Sequence, residues 1–388
     1  MKHSITLPIA VLATALLCMS VDMFAQAPNR VAPPRPRAAG ARSVEDITKD
    51  PAAVKRLDLS RKKLTELPAE VLQCTNLEDL NLSGNELTSL PEGLSSLKAL
   101  RSLNLSRNKF TDVPSVVRQL TSLQTLNLGM NQITKVGKLG LASLERLDMR
   151  QNPIGSGTDA AAFDGMAKLQ NVDLSATGLT EVPPSLAKLG SLTVVDLSRN
   201  AIKQIPPALA ESAAIVDLNV SGNQLTSLPA GLASAPALSI LECSNNALTT
   251  LPAGLFNHPT LRRLIAKSNR ITAIPDSIKA NVLEQLVLDS NSIASAPKSI
   301  GNCSRLTRLS LRANKLSTLP VEIGSCKNLS DLDLSGNKLT SLPIKELGEL
   351  PALNRISIRN TIEPEGRVMD RDVPNPPQIP DASKPKKP

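Results

Sequence analysis

The chain has 388 residues, 41% of them hydrophobic and 20% charged, but only 1% aromatic, with no Trp, no Tyr and four Phe. So few aromatic faces argue against a sugar-stacking platform or a base-stacking nucleic-acid groove, and two His leave little material for acid–base pairs or metal clusters. The formal net charge is +9, and one short segment supplies four of these charges: Arg30, Arg35, Arg37 and Arg42. Most enzyme classes are therefore disfavoured.

Residues 1–27 are predicted to form a secretory signal peptide. Lys2 precedes an apolar stretch over 5–21, and the segment ends in the small-residue sequence Ala-Gln-Ala. Cleavage is expected after Ala25 or Ala27. An uncleaved membrane anchor is the alternative, although about 17 apolar residues lie at the short limit for crossing a bilayer. Cleavage predicts a secreted, periplasmic or cell-surface protein with no membrane span left in the mature chain.

Two segments flank the rest of the chain as predicted tails. Residues 28–43 are rich in Pro, Ala and Arg, which favours an extended linker, and residues 362–388 are rich in Pro and end KPKKP. Neither segment has enough apolar residues to bury, so the second is predicted to be disordered. We interpret both as solubilising tethers, and contact with an anionic surface is the alternative.

A repeat of about 23 residues fills the chain between these tails. LEDLNLSGNELTSLP from Leu77, LRSLNLSRNKFTDVP from Leu100 and LSDLDLSGNKLTSLP from Leu329 share the frame LxxLxLxxNxLxxLP. Fourteen units occupy residues 44–361. The frame Asn is present in eleven of them: Asn85, Asn108, Asn131, Asn152, Asn200, Asn223, Asn246, Asn269, Asn291, Asn314 and Asn337.

This frame resembles the leucine-rich repeat family, in the LP-containing 23-residue form of Ras-group and bacterial members. The resemblance implies an α/β repeat solenoid: a curved horseshoe with a parallel sheet on its concave side and irregular or 3-10 structure on its convex side. It also implies a module that holds other proteins rather than an enzyme.

The residues themselves indicate the same shape. Apolar and polar residues alternate in each LxLxx segment, which predicts a short strand with one buried face. One unit cannot bury its own leucines, so neighbouring units must stack. The frame Asn is expected to bond backbone groups where the chain leaves the strand, and the Pro after it suits a convex segment outside the sheet.

The two ends and one internal irregularity depart from the frame. Residues 44–53 are predicted to form an N-terminal cap helix with Ser43 as N-cap, and 356–362 to form a degenerate closing unit. Between Asn131 and Thr177 the steps are 21 and 25 residues. We expect GSGTDAAAFDGMAKL to insert a helical turn on the convex side and bend the solenoid, with a binding loop as the alternative.

Departures from the frame at solvent-facing strand positions indicate where a partner binds. Apolar residues replace polar ones on three adjacent strands, a Glu replaces the usual Asp or Asn, and basic residues border them, continued by Arg355 and Arg359. An apolar patch with a charged rim is typical of protein-binding sites. Neutral drift is the alternative. The predicted concave site of repeats 9–12 consists of Ile240, Glu242, Arg263, Ile265, Lys267, Val287, Arg308 and Arg312.

A second, weaker candidate is the group Arg146, Asp148 and Arg150 near the irregular repeat. Asp148 also belongs to a row with Asp173 and Asp196 that resembles a cation site, but Asp is a frame residue there and arginines lie nearby. We therefore predict no metal.

Cysteine and histidine offer little further chemistry. Cys303 and Cys326 occupy equivalent positions in successive repeats, either as small apolar fillers or as a disulfide. His258 is expected on a plain convex surface loop.

The sequence predicts no catalytic residues and no cofactor. We expect an exported module for recognition, adhesion or signalling that binds a protein partner, which the positive net charge favours as acidic, and neither nucleic acid nor a small-molecule substrate. A structural envelope protein and the substrate-recognition subunit of an enzyme complex remain the alternatives.

Overall fold

The computed structural model describes residues 40–279 and 282–359, together with the backbone of three short strands beyond them. The predicted signal peptide and residues 28–39 of the linker lie outside these residues, as does most of the predicted tail, so their boundaries remain predictions. Among the described residues, no helix combines the length and the apolar character needed to cross a membrane.

Fourteen parallel strands form one sheet in which chain order and spatial order are the same. Each strand contains three residues and pairs residue for residue with its neighbours, as Leu80 does with Leu57 and Leu103. Strand n belongs to repeat n. The strands β1 to β14 are Arg56–Asp58, Asp79–Asn81, Ser102–Asn104, Thr125–Asn127, Arg146–Asp148, Asn171–Asp173, Val194–Asp196, Asp217–Asn219, Ile240–Glu242, Arg263–Ile265, Gln285–Val287, Arg308–Ser310, Asp331–Asp333 and Arg355–Ser357.

Three further strands follow the fourteenth repeat. β15 (Thr361–Ile362) pairs antiparallel with β16 (Val368–Met369), and β17 (Asp372–Val373) pairs antiparallel with β14. The parallel sheet therefore ends on an antiparallel strand.

The core is a single apolar cluster that extends from Ile47 to Ile358. The middle residue of each strand and the next apolar residue point into it, as Leu80 (1% exposed) and Leu82 (fully buried) illustrate. Each buried leucine contributes about 1.5–3 kcal/mol before the entropy of ordering is subtracted. Because these side chains lie against those of adjacent units, each repeat depends on its neighbours for stability.

The frame Asn connects consecutive repeats through backbone hydrogen bonds. Asn85 donates through Nδ2 to the carbonyls of Leu59 and Leu82, both at 2.9 Å, and accepts through Oδ1 from the amides of Lys62 and Leu64 at 2.9 and 3.1 Å. The same pattern recurs along the solenoid. In repeat 6 a threonine replaces the Asn, and its hydroxyl donates to one carbonyl, that of Leu174, at 2.7 Å.

The residue before the frame Asn adopts a left-handed conformation along most of the solenoid. It is glycine in some repeats, such as Gly84 (φ +69), but in others a larger residue, such as Arg107 (φ +57) or Ala313 (φ +53). A left-handed L-residue costs roughly 1–2 kcal/mol. The Asn hydrogen bonds that follow offset this cost, which explains why the frame tolerates so many residue types before the Asn.

The convex side consists of short helices that begin directly after a Pro of the frame. Pro fixes the backbone φ angle at the start of each helix and lacks an amide N–H, which the sheet does not need at this position. The 3-10 helices are Ala69–Gln73, Glu92–Ser96, Ser115–Gln119, Ala230–Ser234, Ala253–Asn257, Lys298–Asn302 and Val321–Ser325, and the α-helices are α2 (Pro184–Ala187), α3 (Pro207–Ala210) and α4 (Ile344–Gly348).

A short helix covers the N-terminal end of the core. α1 (Val44–Thr48) is capped by Ser43, whose hydroxyl accepts from the amide of Asp46 while the Asp46 carboxylate accepts from the Ser43 amide. Ile47 is fully buried against the first repeat. The helix ends sooner than the 44–53 span, since Pro51–Ala53 forms a separate 3-10 turn.

The irregular repeat contains turns rather than the expected helical turn, so that prediction is wrong. Between residues 155 and 169 the backbone forms hydrogen-bonded turns, with the amide of Ala162 donating to the carbonyl of Asp159 at 2.9 Å. Gly165, near the end of these turns, has a φ value of +83, at which a helix cannot continue. The alanines favour a helix, but the turns bury Phe163, and tertiary packing outweighs local propensity.

Candidate protein-binding face

Three rows of side chains point into the concavity of the sheet. The first row comprises the first residue of each strand, the second row comprises the third residue, and the third row comprises the residue two positions after the strand ends. The middle residue of each strand faces the core instead, as the alternation of a strand requires. These rows contain all eight residues of the predicted concave site.

Second-row Asp and Asn side chains have a structural role in most repeats. Each accepts a hydrogen bond from the third-row amide of its own repeat, as Asn104 does from Ser106 at 3.0 Å and Asp196 from Ser198 at 2.9 Å. A residue without a side-chain oxygen at this position would leave that amide without its acceptor. The second row is therefore constrained wherever this bond is formed.

Repeats 9, 10 and 12 form this bond differently, and their second row is released from the constraint. The amide of Ser244 donates to the hydroxyl of Ser221 at 3.2 Å, and the amide of Lys267 donates to the hydroxyl of Ser244 at 3.1 Å. The amide of Arg312 likewise donates to the Asp289 carboxylate at 3.2 Å. In each case the acceptor is a side-chain oxygen of the third-row residue in the preceding repeat. We call this arrangement the acceptor hand-over.

The acceptor hand-over explains how apolar residues occupy a polar row. Glu242, Ile265 and Val287 are adjacent in the second row of β9, β10 and β11. Ile240 precedes them in the first row, opposite Arg263. Ile240 and Ile265 are half-buried.

Val287 does not have the solvent exposure expected of it, since only 3% of its surface is accessible. Side chains converge on the inner surface of a curved sheet, and small residues there are shielded by longer neighbours. Ser310, next to Val287 in the second row, is 1% exposed for the same reason. The accessible apolar surface therefore centres on Ile240 and Ile265.

Acidic residues partly neutralise the basic border. Lys267 lies 3.4 Å from Asp289, and Asp331 lies 3.5 Å from Arg308 and 3.8 Å from Arg355. Such pairs at the surface contribute about 0–1 kcal/mol each, so they remain exchangeable with a partner's carboxylates.

Arg263 and Arg312 differ from the other border residues. Neither forms an ion pair within the described part of the chain. Nε of Arg263, which lies between Ile240 on β9 and Gln285 on β11, is buried without a hydrogen-bond partner there, as is Nε of Arg308. A buried donor without an acceptor is costly, and an incoming acceptor would relieve that cost.

The second candidate group is an ion-pair cluster. Nε of Arg150 lies 3.5 Å from Asp148, and its Nη1 lies 3.8 Å from Asp173 on the next strand. Burial, and then the charge of Asp173, raise the pKa of Asp148 to about 6, against the opposing effect of Arg150. In the described residues no group of three or more His, Cys, Asp or Glu has the arrangement of a metal site.

His258 lies inside the molecule, so the expected surface loop is wrong. The residue is 1% exposed, and its Nδ1 accepts from the amide of Leu261 at 3.1 Å. It fills the position that Cys303 and Cys326 occupy in later repeats, which explains why the side chain turns inward. Burial lowers the pKa of His258, so its neutral form is favoured.

The four described cysteines, Cys74, Cys243, Cys303 and Cys326, are buried, and none of them forms a disulfide. The Sγ of Cys326 donates to the carbonyl of Ile300 at 3.4 Å, and burial raises the pKa of this thiol to about 12. Cys303 and Cys326 are therefore buried apolar fillers in this structure and do not form a disulfide with each other.

Sequence patterns alone did not identify three residues that shape this face. Ser221, Ser244 and Asp289 supply the acceptors of the acceptor hand-over. Two of them are ordinary frame serines, so only the pairing of strands reveals their role. Asp289 stands where the frame has Ser, and that departure was the available signal.

The fold and these rows define a curved leucine-rich repeat solenoid, a class that typically serves protein interaction without catalysis. Models of the leucine rich repeat match residues 52–110, 119–142, 167–225, 281–339 and 304–361, more than half of the chain. The protein therefore belongs to the leucine-rich repeat family. Comparison with curated proteins gives no match.

Solved structures show the same fold. A leucine-rich repeat protein of Leptospira interrogans is 30% identical with a TM-score of 0.75, and the match covers 84% of this chain and 89% of that one. An internalin of Listeria monocytogenes is 26% identical with a TM-score of 0.69, and covers 80% and 89%. The ectodomain of an Arabidopsis thaliana receptor kinase is 30% identical with a TM-score of 0.66, and the match covers 77% of this chain and 37% of the receptor chain.

Proposed function

We propose that this protein is an exported, non-enzymatic module that binds a protein partner on the concave side of repeats 9–12. Recognition, adhesion and signalling scaffolding are all forms of this function. The chain's similarity to an internalin supports a surface location, and its similarity to a receptor ectodomain whose structure is a complex with Casparian strip integrity factor 2 supports a bound partner.

The acceptor hand-over is the observation that carries the proposal. Repeats 9–12 keep the third-row amides of Ser244, Lys267 and Arg312 bonded while the second row gives up its Asp or Asn. Ser221 and Ser244 are frame serines, so their hydroxyls accept from these amides when the second row changes, whereas Asp289 is itself a departure from the frame that keeps the Arg312 amide bonded. The apolar and acidic side chains of the second row therefore cost these amides no hydrogen bond, which leaves the row open to residues that contact a partner.

The contact would centre on Ile265, with Ile240 beside it and the guanidinium groups of Arg263 and Arg312 at its edge. The apolar centre supplies desolvation energy, and arginines at a rim favour carboxylates through paired hydrogen bonds. Lys267 and Arg308 contribute less to attracting the partner, because ion pairs within the protein partly neutralise their charges.

A pull-down with the full chain from cell-surface extracts tests the proposal, repeated with Ile265→Asp and Arg312→Glu. Matched controls are Thr125→Asp in the first row of β4 and Arg101→Glu beside β3, outside the site. We expect both site variants to lose the captured protein while the controls retain it, with circular dichroism unchanged throughout. Equal recovery with the site variants would refute the proposed face, and the absence of any captured protein would favour a structural envelope role.

A further inference from the structure

The concave rows are acidic over four consecutive strands. β6 to β9 and the third-row residues after them place four carboxylates on this side and no Lys or Arg: Asp173, Asp196, Asp217 and Glu242. We call these strands the acidic half.

The next three strands have the opposite sign. β10 to β12 and the third-row residues after them place four basic side chains and one carboxylate on the same side: Arg263, Lys267, Arg308 and Arg312, with Asp289. We call these strands the basic half. The half-buried Ile240 and Ile265 lie at the boundary between the two halves.

Burial and a neighbouring carboxylate both disfavour the ionised form of Asp173 in the acidic half. Burial, and then the charge of Asp196, raise the pKa of Asp173, although hydrogen bonds from Ser175 and the charge of Arg150 oppose the shift. Positive groups brought to this half by a ligand would lower the energy of these carboxylates.

The basic half retains positive charge after its own ion pairs are counted. Asp289 pairs with Lys267 and Asp331 of β13 pairs with Arg308, whereas Arg263 and Arg312 form no ion pair within the described residues. The two halves thus present opposite fields on either side of an apolar boundary. A segment with a single sign of charge would be attracted by one half and repelled by the other.

We propose that the partner presents a polypeptide segment in which basic residues, a short apolar stretch and acidic residues follow one another in blocks. The segment lies across the strands, with its basic block over the acidic half, its apolar residues on Ile240 and Ile265, and its acidic block over the basic half. This inference rests on the proposed function and specifies its partner. Six strand intervals of about 4.8 Å span about 29 Å, the length of roughly nine extended residues.

Two labelled synthetic peptides of equal composition test the order of charges. The block peptide is KKKGLLGEEE and the alternating peptide is KEKGLLGEKE, both with acetylated and amidated ends so that terminal charges do not contribute. We expect fluorescence anisotropy with the full chain at low ionic strength to give about tenfold tighter binding of the block peptide, the effect of a few surface ion pairs. Added salt should reduce the difference.

Two charge-removing double variants locate the peptide. Asp173→Asn with Asp196→Asn keeps the side-chain oxygens that accept from Ser175 and Ser198, because Asn fills the same row in other repeats. The other pair is Arg263→Gln with Arg312→Gln. Each pair should weaken block-peptide binding by roughly tenfold, while Asp58→Asn in the second row of β1 should leave it unchanged.

The outcomes separate this inference from the proposed function. Equal affinity for the two peptides, or no binding of either, refutes the charge order. If both peptides bind alike and Ile265→Asp abolishes both, the concave site stands and only the charge order fails. If Ile265→Asp changes nothing, the site itself is wrong. The full chain could also sediment as a dimer that the Asp173→Asn, Asp196→Asn double variant dissociates. That result would identify a second copy of the chain as the occupant and overturn the inference.

Discussion

Replacing one frame asparagine tests whether the ladder stabilises the stack. Asn314 is 7% exposed; it donates to the carbonyls of Leu288 and Leu311 at 3.0 Å each and accepts from the amide of Ile293 at 3.0 Å. Asn314→Ala leaves these three buried backbone groups short of a partner. At about 1 kcal/mol each, with a larger cost for groups that water cannot reach, we expect a loss of roughly 2–4 kcal/mol of unfolding free energy.

Far-UV circular dichroism during urea unfolding measures the loss, because a chain without Trp or Tyr has no useful intrinsic fluorescence. Repeat arrays need not unfold in one step, so hydrogen exchange at the Ile293 amide provides a local measurement. Asn354→Ala is the control, since this residue is exposed. A loss below about 0.5 kcal/mol with unchanged exchange at Ile293 would show that the ladder is not the stabilising element we infer.

Two further outcomes are expected. Asp148 has a pKa raised to about 6, so its ionisation opposes folding as pH rises from about 4 through 6. Asp148→Asn should therefore raise the unfolding free energy by on the order of 1–3 kcal/mol at pH 7 and have little effect at pH 4. An equal effect at both pH values in urea titrations would contradict this. Burial raises the pKa of Cys243 and Cys326 to about 12, so both thiols should resist iodoacetamide at pH 8 until denaturant is added. Peptide mass spectrometry measures the modification. Rapid labelling of the native chain would show that the two thiols are accessible.

Local patterning was sufficient to predict the solenoid, because the signal recurs in every unit. The alternation around Leu80 and Leu82, the frame Asn and the following Pro each have a direct physical cause within one repeat. Fourteen repetitions of the same argument leave few alternative folds. The parallel sheet and the 3-10 convex side confirm that prediction.

The concave face was less predictable because its properties depend on neighbouring repeats. The burial of Val287 follows from side chains on adjacent strands, and the pairing of Lys267 with Asp289 joins two different units. These two features join different repeats, so an analysis of one 23-residue window misses them. The inward turn of His258 was readable from the sequence, because His258 stands at the position that Cys303 and Cys326 occupy in later repeats.

The acceptor hand-over has a consequence for how such a chain changes through evolution. Most repeats satisfy their third-row amide internally, so an ordinary unit could be duplicated or excised without harming the next. Excision of repeat 9 would bring the hydroxyl of Ser221 next to the Lys267 amide in place of Ser244, whereas excision of repeat 11 would bring Lys267, which has no acceptor, next to the Arg312 amide. Recombination should therefore preserve repeats 11 and 12 as an inherited pair while other units vary in number.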